Sequence, residues 1–181
     1  MSDAATTDMP AHGAADGKPV RSRSYAWQDP LAAAAARRKL GGGGYLDAMR
    51  DGRVAPPPMA ETLAFRLGET GKGFAVFHCR PAEFHYNPLG TVHGGLAATL
   101  IDSATGCAVQ TVCPSGHAWT TLELKVNFVR PMTSETGDIR CEGRIIHAGS
   151  RIATAEARVL DEDGKLYAHG SSTCLIYPIS G

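Results

Sequence analysis

The 181-residue chain is 43% hydrophobic, which is enough apolar material for the core of one domain with an extension. Its 18 basic and 18 acidic residues give no net charge. The charge balance therefore gives no reason to expect nucleic acid or an anionic membrane surface as the main partner. The five cysteines form no Cys-x-x-Cys pair and predict reduced core thiols. With neither a signal-peptide pattern nor an apolar run of about 20 residues, the sequence predicts a soluble, cytoplasmic protein.

The N-terminal part of the chain predicts a tail followed by a helical extension. Residues 1–24 are small and polar and predict a disordered tail. Asp29-Pro30, an alanine run and Gly41 predict a helix over 30–40, because they supply a capping acid, a first-turn proline and a stop. Residues 41–44 are expected to form a flexible break, residues 45–49 a short second helix, and the prolines at 56–58 a stiff connector. The extension thus covers 25–58 and the compact domain 59–181.

The compact domain has the pattern of strands around one helix. Two β-type runs precede a helix over about 93–113, and four further runs follow it. The predicted strands are 63–67, 74–79, 120–130, 137–146, 152–160 and 166–177. Residues 161–164, Asp-Glu-Asp-Gly, predict a hairpin turn between the last two. The order predicts an α+β fold in which an antiparallel sheet, ending in a four-stranded meander, wraps one long helix.

The run over 120–130 alternates strictly between apolar and polar side chains. It predicts one core face and one polar face. The expected core face carries Leu122, Leu124, Val126 and Phe128, and the polar face carries Thr121, Glu123, Lys125 and Asn127.

The segment from His85 to Asp102 carries the strongest functional pattern. Glycines at 90, 94 and 95 favour a tight turn, and the apolar spacing from Leu96 onward predicts a helix that begins at His93-Gly94. The first N–H groups of a helix have no internal partner and lie at the positive end of its dipole. The pattern therefore predicts an oxyanion hole at this helix start.

Asp102 is the lone acid of the same helix. It lies on a narrow stripe of small residues with Gly95, Thr99 and Gly106, opposite the large aliphatic side chains. One interpretation is a carboxylate that a ligand or a second chain approaches closely. The other is a solvated helix residue beside an incidental packing stripe.

These residues together resemble a known family. The pattern Asn87-x-x-Gly90-x-x-His93-Gly94-Gly95, with Asp102 nine residues after His93, is similar to the PaaI-type hot-dog fold acyl-CoA thioesterases. The later Thr121-x-Glu123-x-Lys125-Val126-x-Phe128-x-Arg130-Pro131 also resembles that family. The resemblance covers about 60–178 and implies a hot-dog fold and hydrolysis of acyl-CoA thioesters.

The resemblance implies a role for each residue of the motif. The Gly94 N–H would stabilise the tetrahedral oxyanion, and the Asn87 amide would hold the carbonyl or the attacking water. Asp102 would act either as general base on that water or as a nucleophile that forms a mixed anhydride. Thr121 would position the water from the partner subunit, and His93 would organise the turn rather than transfer a proton.

The resemblance also implies contacts to coenzyme A and an assembly. Lys125, Arg130, Arg144 and Arg151 are candidates for the phosphates, and each could equally be a solvated strand residue. The substrate-contacting set implied is Gly95, Lys125, Asn127, Phe128, Arg130, Pro131, Ser150 and Arg151. No cofactor is expected, and the remaining histidines lack metal-ligand spacing. An uncovered sheet edge implies a homodimer at minimum. Because members of the family commonly join two dimers, the resemblance also implies a homotetramer.

Three other functions compete with acyl-CoA hydrolysis as interpretations of the sequence. A serine hydrolase is excluded because the chain has no Gly-x-Ser-x-Gly elbow. A hot-dog hydratase is disfavoured because Gly90 stands where such an enzyme would favour histidine. A non-catalytic acyl-CoA binding or sensing protein on the same fold is the alternative that stays open, although a pure binder has no need of Asp102 and Asn87.

Overall fold

A computed structural model describes residues 19–179, and most of the predicted tail, residues 1–18, lies outside that range. Residues 19–29 form no helix or strand, and a six-stranded sheet, three α-helices and two short 3-10 helices, Glu83–His85 and Ser134–Thr136, follow them. The helices are α1 Pro30–Arg50, α2 Pro58–Leu63 and α3 Gly94–Val112. The strands are β1 Phe65–Gly71, β2 Phe74–Cys79, β3 His117–Phe128, β4 Ile139–Ala148, β5 Ile152–Asp161 and β6 Leu166–Pro178.

The sheet is antiparallel throughout and has the strand order β1-β2-β4-β5-β6-β3. The turn at 161–164 joins β5 to β6 as expected, since the Asp161 carboxylate accepts the N–H groups of Asp163 and Lys165. The expected four-stranded meander was wrong in one respect. Strands β4, β5 and β6 form a meander, whereas β3 crosses the sheet and pairs with β6 at the far edge.

Helix α3 occupies the centre of the domain and contacts all six strands. Leu96, Leu100 and Ile101 are fully or almost fully buried against Phe77 and Val159 of the sheet. Gly143 of β4 lies so close that an added Cβ would stand 2.3 Å from the Ala104 carbonyl oxygen. The predicted α+β hot-dog arrangement, a sheet wrapped around one long helix, is therefore confirmed.

The N-terminal extension is more helical than its glycines suggest. Asp29 caps α1 by accepting the Leu31 N–H at 2.8 Å, as predicted, and Gly41 breaks the helix with φ 70°. The expected break over 41–44 was wrong beyond Gly41, because the helix resumes at once and continues to Arg50. An added Cβ on Gly42 would lie 2.2 Å from the Gln110 carbonyl oxygen, so this half of α1 packs directly on α3. Tertiary contact thus overrides the weak helix propensity of glycine.

The predicted faces of β3 are interrupted by a β-bulge. Its pairing with β6 shifts between Thr121 and Glu123, which leaves Leu122 as the extra residue. Leu122 is 57% exposed, whereas Leu124 and Val126 pack against the core. The prediction that Leu122 faces the core and Thr121 faces away was wrong, because the bulge restarts the alternation one residue later.

Candidate active site

The turn before α3 is organised by the side chain of Asn87. Its Oδ1 accepts the backbone N–H of Leu89 at 2.9 Å and that of Thr91 at 3.3 Å. Its Nδ2 donates to the Thr91 hydroxyl at 3.1 Å, and its backbone N–H donates to the Thr91 carbonyl at 2.7 Å. Since a primary amide has two N–H groups, the second has no acceptor among the residues that the structure describes and is available to a ligand. Gly90 permits the turn because its φ is 75°.

The first two N–H groups of α3 differ in their hydrogen bonding, because one is capped and the other is not. His93 is the N-cap, and its Nδ1 accepts the Gly95 N–H at 2.8 Å. In the neutral ring the proton is therefore on Nε2. The Gly94 N–H has no hydrogen-bond acceptor among residues 19–179. Because it also lies at the positive end of the helix dipole, it is an available donor for an anion.

A cavity of about 410 Å³ adjoins this helix start. Asn87 and Gly94 line it together with Phe128, Arg130 and Pro131, all of which the sequence motif singled out. An added Cβ on Gly94 would lie 3.0 Å from the Phe128 ring, so the glycine lets the ring approach the helix start. We call Asn87, Gly94 and this cavity the Gly94 half-site.

Asp102 pairs with Thr121 farther along α3. The Thr121 hydroxyl donates to Asp102 Oδ1 at 2.8 Å, and both residues are half-buried. The β-bulge at Leu122 immediately follows Thr121, on the strand that presents its hydroxyl to α3. We call Asp102 and Thr121 the Asp102 half-site.

The thiols beside Asp102 are held in their neutral form. Loss of hydration and, to a smaller extent, the Asp102 carboxylate together raise the pKa of Cys107 to about 12. Burial likewise raises the pKa of Cys174, which lies on β6 opposite Thr121. These cysteines are therefore poor nucleophiles at neutral pH, which leaves the Asp102 carboxylate as the charged group of this pair.

The two half-sites of one chain cannot act on one carbonyl group. Gly94 and Asp102 are eight residues apart on α3, which corresponds to about 12 Å along the helix axis. A reacting carbonyl must lie about 3 Å from both its oxyanion donor and its attacking atom. The Asp102 side chain is too short to span the distance that remains between its own backbone and a carbonyl group bound at Gly94. One chain therefore holds the Gly94 N–H and the Asp102 carboxylate too far apart for both to contact the same carbonyl group directly.

The other predicted substrate contacts are spread over the chain. Phe128, Arg130 and Pro131 lie at the Gly94 cavity, whereas Lys125 and Asn127 are exposed and lie on the opposite face of β3 from Leu124 and Val126. Gly95 lies beside His93, and its N–H is already used by the cap.

The remaining predicted contacts, Ser150, Arg151 and Arg144, lie away from the Gly94 cavity. Ser150 and Arg151 are exposed in the β4–β5 turn, at the end of the sheet nearer Thr121 according to the strand register. The Arg144 guanidinium stacks over Phe74 with 5.6 Å to the ring centroid. One chain therefore does not bring the basic candidates into a single cluster.

Several residues that sequence reasoning missed complete the Gly94 half-site. The Thr91 hydroxyl fixes the Asn87 amide, and six further residues complete the cavity wall. These six are Val92, Ala97, Val129, Met132, Tyr167 and Ala168. Thr91 could have been found from the Asn-x-x-x-Thr spacing of a turn, whereas Tyr167 and Ala168 come from β6, a distant segment that shares no sequence signal with the turn.

Three further observations concern the surroundings of the site. Between residues 19 and 179 there is no group of three or more histidine, cysteine or acidic side chains that could hold a metal ion. None of the helices in that range is both long enough and apolar enough to cross a bilayer. A larger cavity of about 690 Å³ lies beside the N-terminal helices and β1, and none of the motif residues lines it.

Comparison with known proteins identifies several relatives. Three of them, described as putative esterases of Halobacterium salinarum and Saccharolobus solfataricus, are matched over 46%, 67% and 57% of their own length, so the chain spans only part of them. Mouse acyl-coenzyme A thioesterase 13 is 32% identical over 93 residues, which cover 50% of this chain and 64% of that protein.

Two solved structures match almost their whole length. A protein of the thioesterase superfamily is 36% identical, with 73% of this chain and 96% of that chain covered and a TM-score of 0.62. A phenylacetic acid degradation-related protein of Ralstonia eutropha, described as a thioesterase, is 26% identical, with 72% and 98% covered and a TM-score of 0.65. The family model for the thioesterase superfamily matches residues 89–168, which include the helix start, Asp102 and Thr121. Sheet topology, central helix and matched segment agree, and the chain belongs to the thioesterase superfamily.

Proposed function

We propose that this protein hydrolyses acyl-CoA thioesters to a free acid and coenzyme A, at sites that two copies of the chain form together. The observation that carries the proposal is the free Gly94 N–H at the cavity, on the same helix as an Asp102 carboxylate already oriented by Thr121. Membership of the thioesterase superfamily and the similarity to mouse acyl-coenzyme A thioesterase 13 support it.

The Gly94 half-site supplies the groups that polarise the thioester. The carbonyl oxygen would accept the Gly94 N–H, and the spare N–H of Asn87 would hold the same oxygen or the attacking water. As the tetrahedral oxyanion develops, its charge faces the positive end of α3. Removal of one such donor from other enzymes costs about 3 to 4 kcal/mol of transition-state stabilisation.

The Asp102 half-site supplies the base. Thr121 donates to Oδ1, which leaves Oδ2 free to take a proton from water while the water oxygen bonds to the carbonyl carbon. Collapse of the tetrahedral intermediate breaks the C–S bond and expels the coenzyme A thiolate. In the second route Asp102 attacks the carbonyl carbon, the C–S bond breaks and the coenzyme A thiolate leaves, and water then hydrolyses the mixed anhydride to the free acid and the Asp102 carboxylate. Neither route needs a cofactor.

The separation of the half-sites supports a homodimer as the smallest active unit. With about 12 Å between Gly94 and Asp102 in one chain, a complete site needs the Asp102 half of a second copy beside the Gly94 half of the first. The 12-residue edge strand β3, which carries exposed Leu122, is the surface we expect to pair. A dimer of dimers would place Ser150 and Arg151 of neighbouring copies near bound coenzyme A.

We also propose that the protein acts in the cytoplasm and that residues beside the Gly94 cavity contact coenzyme A. Arg130 and Pro131 stand at the Gly94 cavity, where a pantetheine arm would leave the site. Lys125 and Asn127 would meet the nucleotide part only across a subunit boundary, because they lie on the other face of β3.

The test is thiol release from phenylacetyl-, benzoyl- and straight-chain acyl-CoAs by wild type, Asp102→Asn and Asp163→Asn. Asp163 is an exposed turn residue and is the matched control. A chromogenic disulfide reagent is suitable because burial raises the pKa of the protein's own Cys79 and Cys107 thiols to about 11 and about 12. We expect Asp102→Asn to lose at least about a hundredfold in kcat while staying folded, and the control to match wild type. Binding of acyl-CoA without thiol release by wild type would replace hydrolysis with the binding or sensing function.

A further inference from the structure

The N-terminal helix reaches the central helix through one arginine. Arg37 Nε and Nη2 both donate to Gln110 Oε1, at 3.1 and 2.9 Å. Gln110 is a polar residue of α3 that is only 4% exposed. Gly42 lies against the Gln110 backbone, so α1 holds this residue from two sides. A buried amide oxygen with a charged donor is worth more than an ordinary surface contact.

Gln110 in turn holds an indole of β3. The Trp119 Nε1–H donates to the same Oε1 atom. The Trp119 ring lies over Gly106 so closely that an added Cβ there would stand 2.1 Å from Cη2. Arg37, Gln110 and Trp119 therefore form one connected contact between α1, α3 and β3.

The same two elements carry the Asp102 half-site. Asp102, Gly106 and Gln110 follow one another at four-residue spacing on α3, and Trp119 and Thr121 follow at two-residue spacing on β3. In the described part of the chain, α3 and β3 share two side-chain hydrogen bonds, Trp119 to Gln110 and Thr121 to Asp102. The two hydrogen bonds thus fix the distance between α3 and β3 jointly, so a change at one of them affects the other.

We propose that Arg37, acting through Gln110 and Trp119, is a positioning residue that holds Thr121 against Asp102, so that helix α1 supports the catalytic pair. This inference rests on the proposed thioesterase function. Strand β3 is paired with another strand of its own chain on one side only, and its bulge lies directly after Thr121. Within its own chain, β3 is therefore held over α3 by its pairing with β6 and by the two side-chain hydrogen bonds to α3. Without Arg37, the Gln110 amide can rotate and the indole loses its fixed acceptor.

The kinetic test compares Arg37→Ala and Arg37→Lys with Arg38→Ala. Arg38 is the exposed neighbour of Arg37 and is the matched control. We expect Arg37→Ala to lower kcat by about tenfold with KM within about twofold of wild type, and Arg37→Lys to recover part of the loss. A merely structural contact would lower the melting temperature and leave kcat unchanged well below it.

A second pair of variants acts on the backbone contact. Gly42→Ala places a methyl group against the Gln110 carbonyl, whereas the same change at Gly43 meets nothing within 4 Å. We expect Gly42→Ala to reproduce the loss in kcat and Gly43→Ala to behave as wild type.

Fluorescence provides a readout that does not depend on activity. The chain has two tryptophans, Trp27 and Trp119, and Trp27 is 59% exposed. In a Trp27→Phe background, we expect Arg37→Ala to increase acrylamide quenching of Trp119 while Arg38→Ala does not. An active wild type with equal kcat in Arg37→Ala and Arg38→Ala overturns the positioning role alone. A wild type that hydrolyses none of the acyl-CoAs overturns the thioesterase function and the positioning role with it.

Discussion

Two inactive variants should restore activity when they are paired in one dimer. Gly94→Pro removes the N–H that we assign to the oxyanion. The helix tolerates proline there because Gly94 is its first residue and His93 is already extended, with φ −61° and ψ 134°. Asp102→Asn removes the base. Each homodimer should lose about two to three orders of magnitude in kcat, the usual effect of removing one such group.

The expected recovery follows from the distance between the half-sites. In a heterodimer of the two variants, one site combines the intact Gly94 of one chain with the intact Asp102 of the other, and the second site carries both changes. A heterodimer purified through two different affinity tags should therefore show about half of the wild-type kcat per dimer. Gly94→Ala, which keeps the N–H, is the control for crowding against the Phe128 ring, 3.0 Å from the added Cβ. A heterodimer no more active than either homodimer would refute the composite site.

Three further changes have effects that the contacts determine. Thr121→Val should lower kcat by about tenfold or more, since it deletes the donor to the Asp102 carboxylate, whereas Thr121→Ser should keep most of the activity. Gly143→Ala should lower the free energy of unfolding by about 1 to 3 kcal/mol, because its methyl group meets the Ala104 carbonyl, and urea denaturation at fixed protein concentration measures it. Burial, with Arg23 as a smaller cause, lowers the pKa of His85. As the pH falls, the unfolded chain therefore binds a proton at this residue before the folded chain does. The free energy of unfolding should thus be highest above about pH 6.5 and should decrease below it.

The controls for these changes come from the same chain. Gly43→Ala adds the same methyl group in open space, and it should not destabilise the protein. The urea concentration at the midpoint of unfolding should decrease less between about pH 7.5 and 5.5 in His85→Gln than in wild type. His147→Gln changes an exposed residue and should show the same decrease as wild type. An equal pH dependence in the His85 and His147 variants would contradict the assignment of that fall to His85.

Local patterns in the sequence predict the elements of this fold well. Strand β2 matches its predicted run residue for residue, and α3 begins and ends within one residue of the prediction. Asp29 caps α1 as its chemistry indicates, and Gly41 breaks the helix at the position where a stop was predicted. Each of these features depends on neighbouring residues alone, through alternation, helical spacing or a short capping bond.

Errors arose where distant segments meet. Gly42 to Gly44 are helical because α1 lies on α3, and Leu122 is a bulge because β3 must fit both β6 and the central helix. A short helix, α2, stands where a strand was expected to begin near residue 63. None of these departures has a local sequence signal.

The sequence by itself determined the fold class, the helix start at His93-Gly94 and, through the eight-residue spacing, the separation of Gly94 from Asp102. Only the tertiary structure decided which residues meet. It places Thr121 against Asp102, Phe128 against Gly94, and Arg37 against Gln110 and through it Trp119. Hydrogen bonds along a helix or across a turn follow from spacing in the chain. Contacts between α1, α3 and β3 follow from how three elements far apart in sequence pack, which no short pattern encodes.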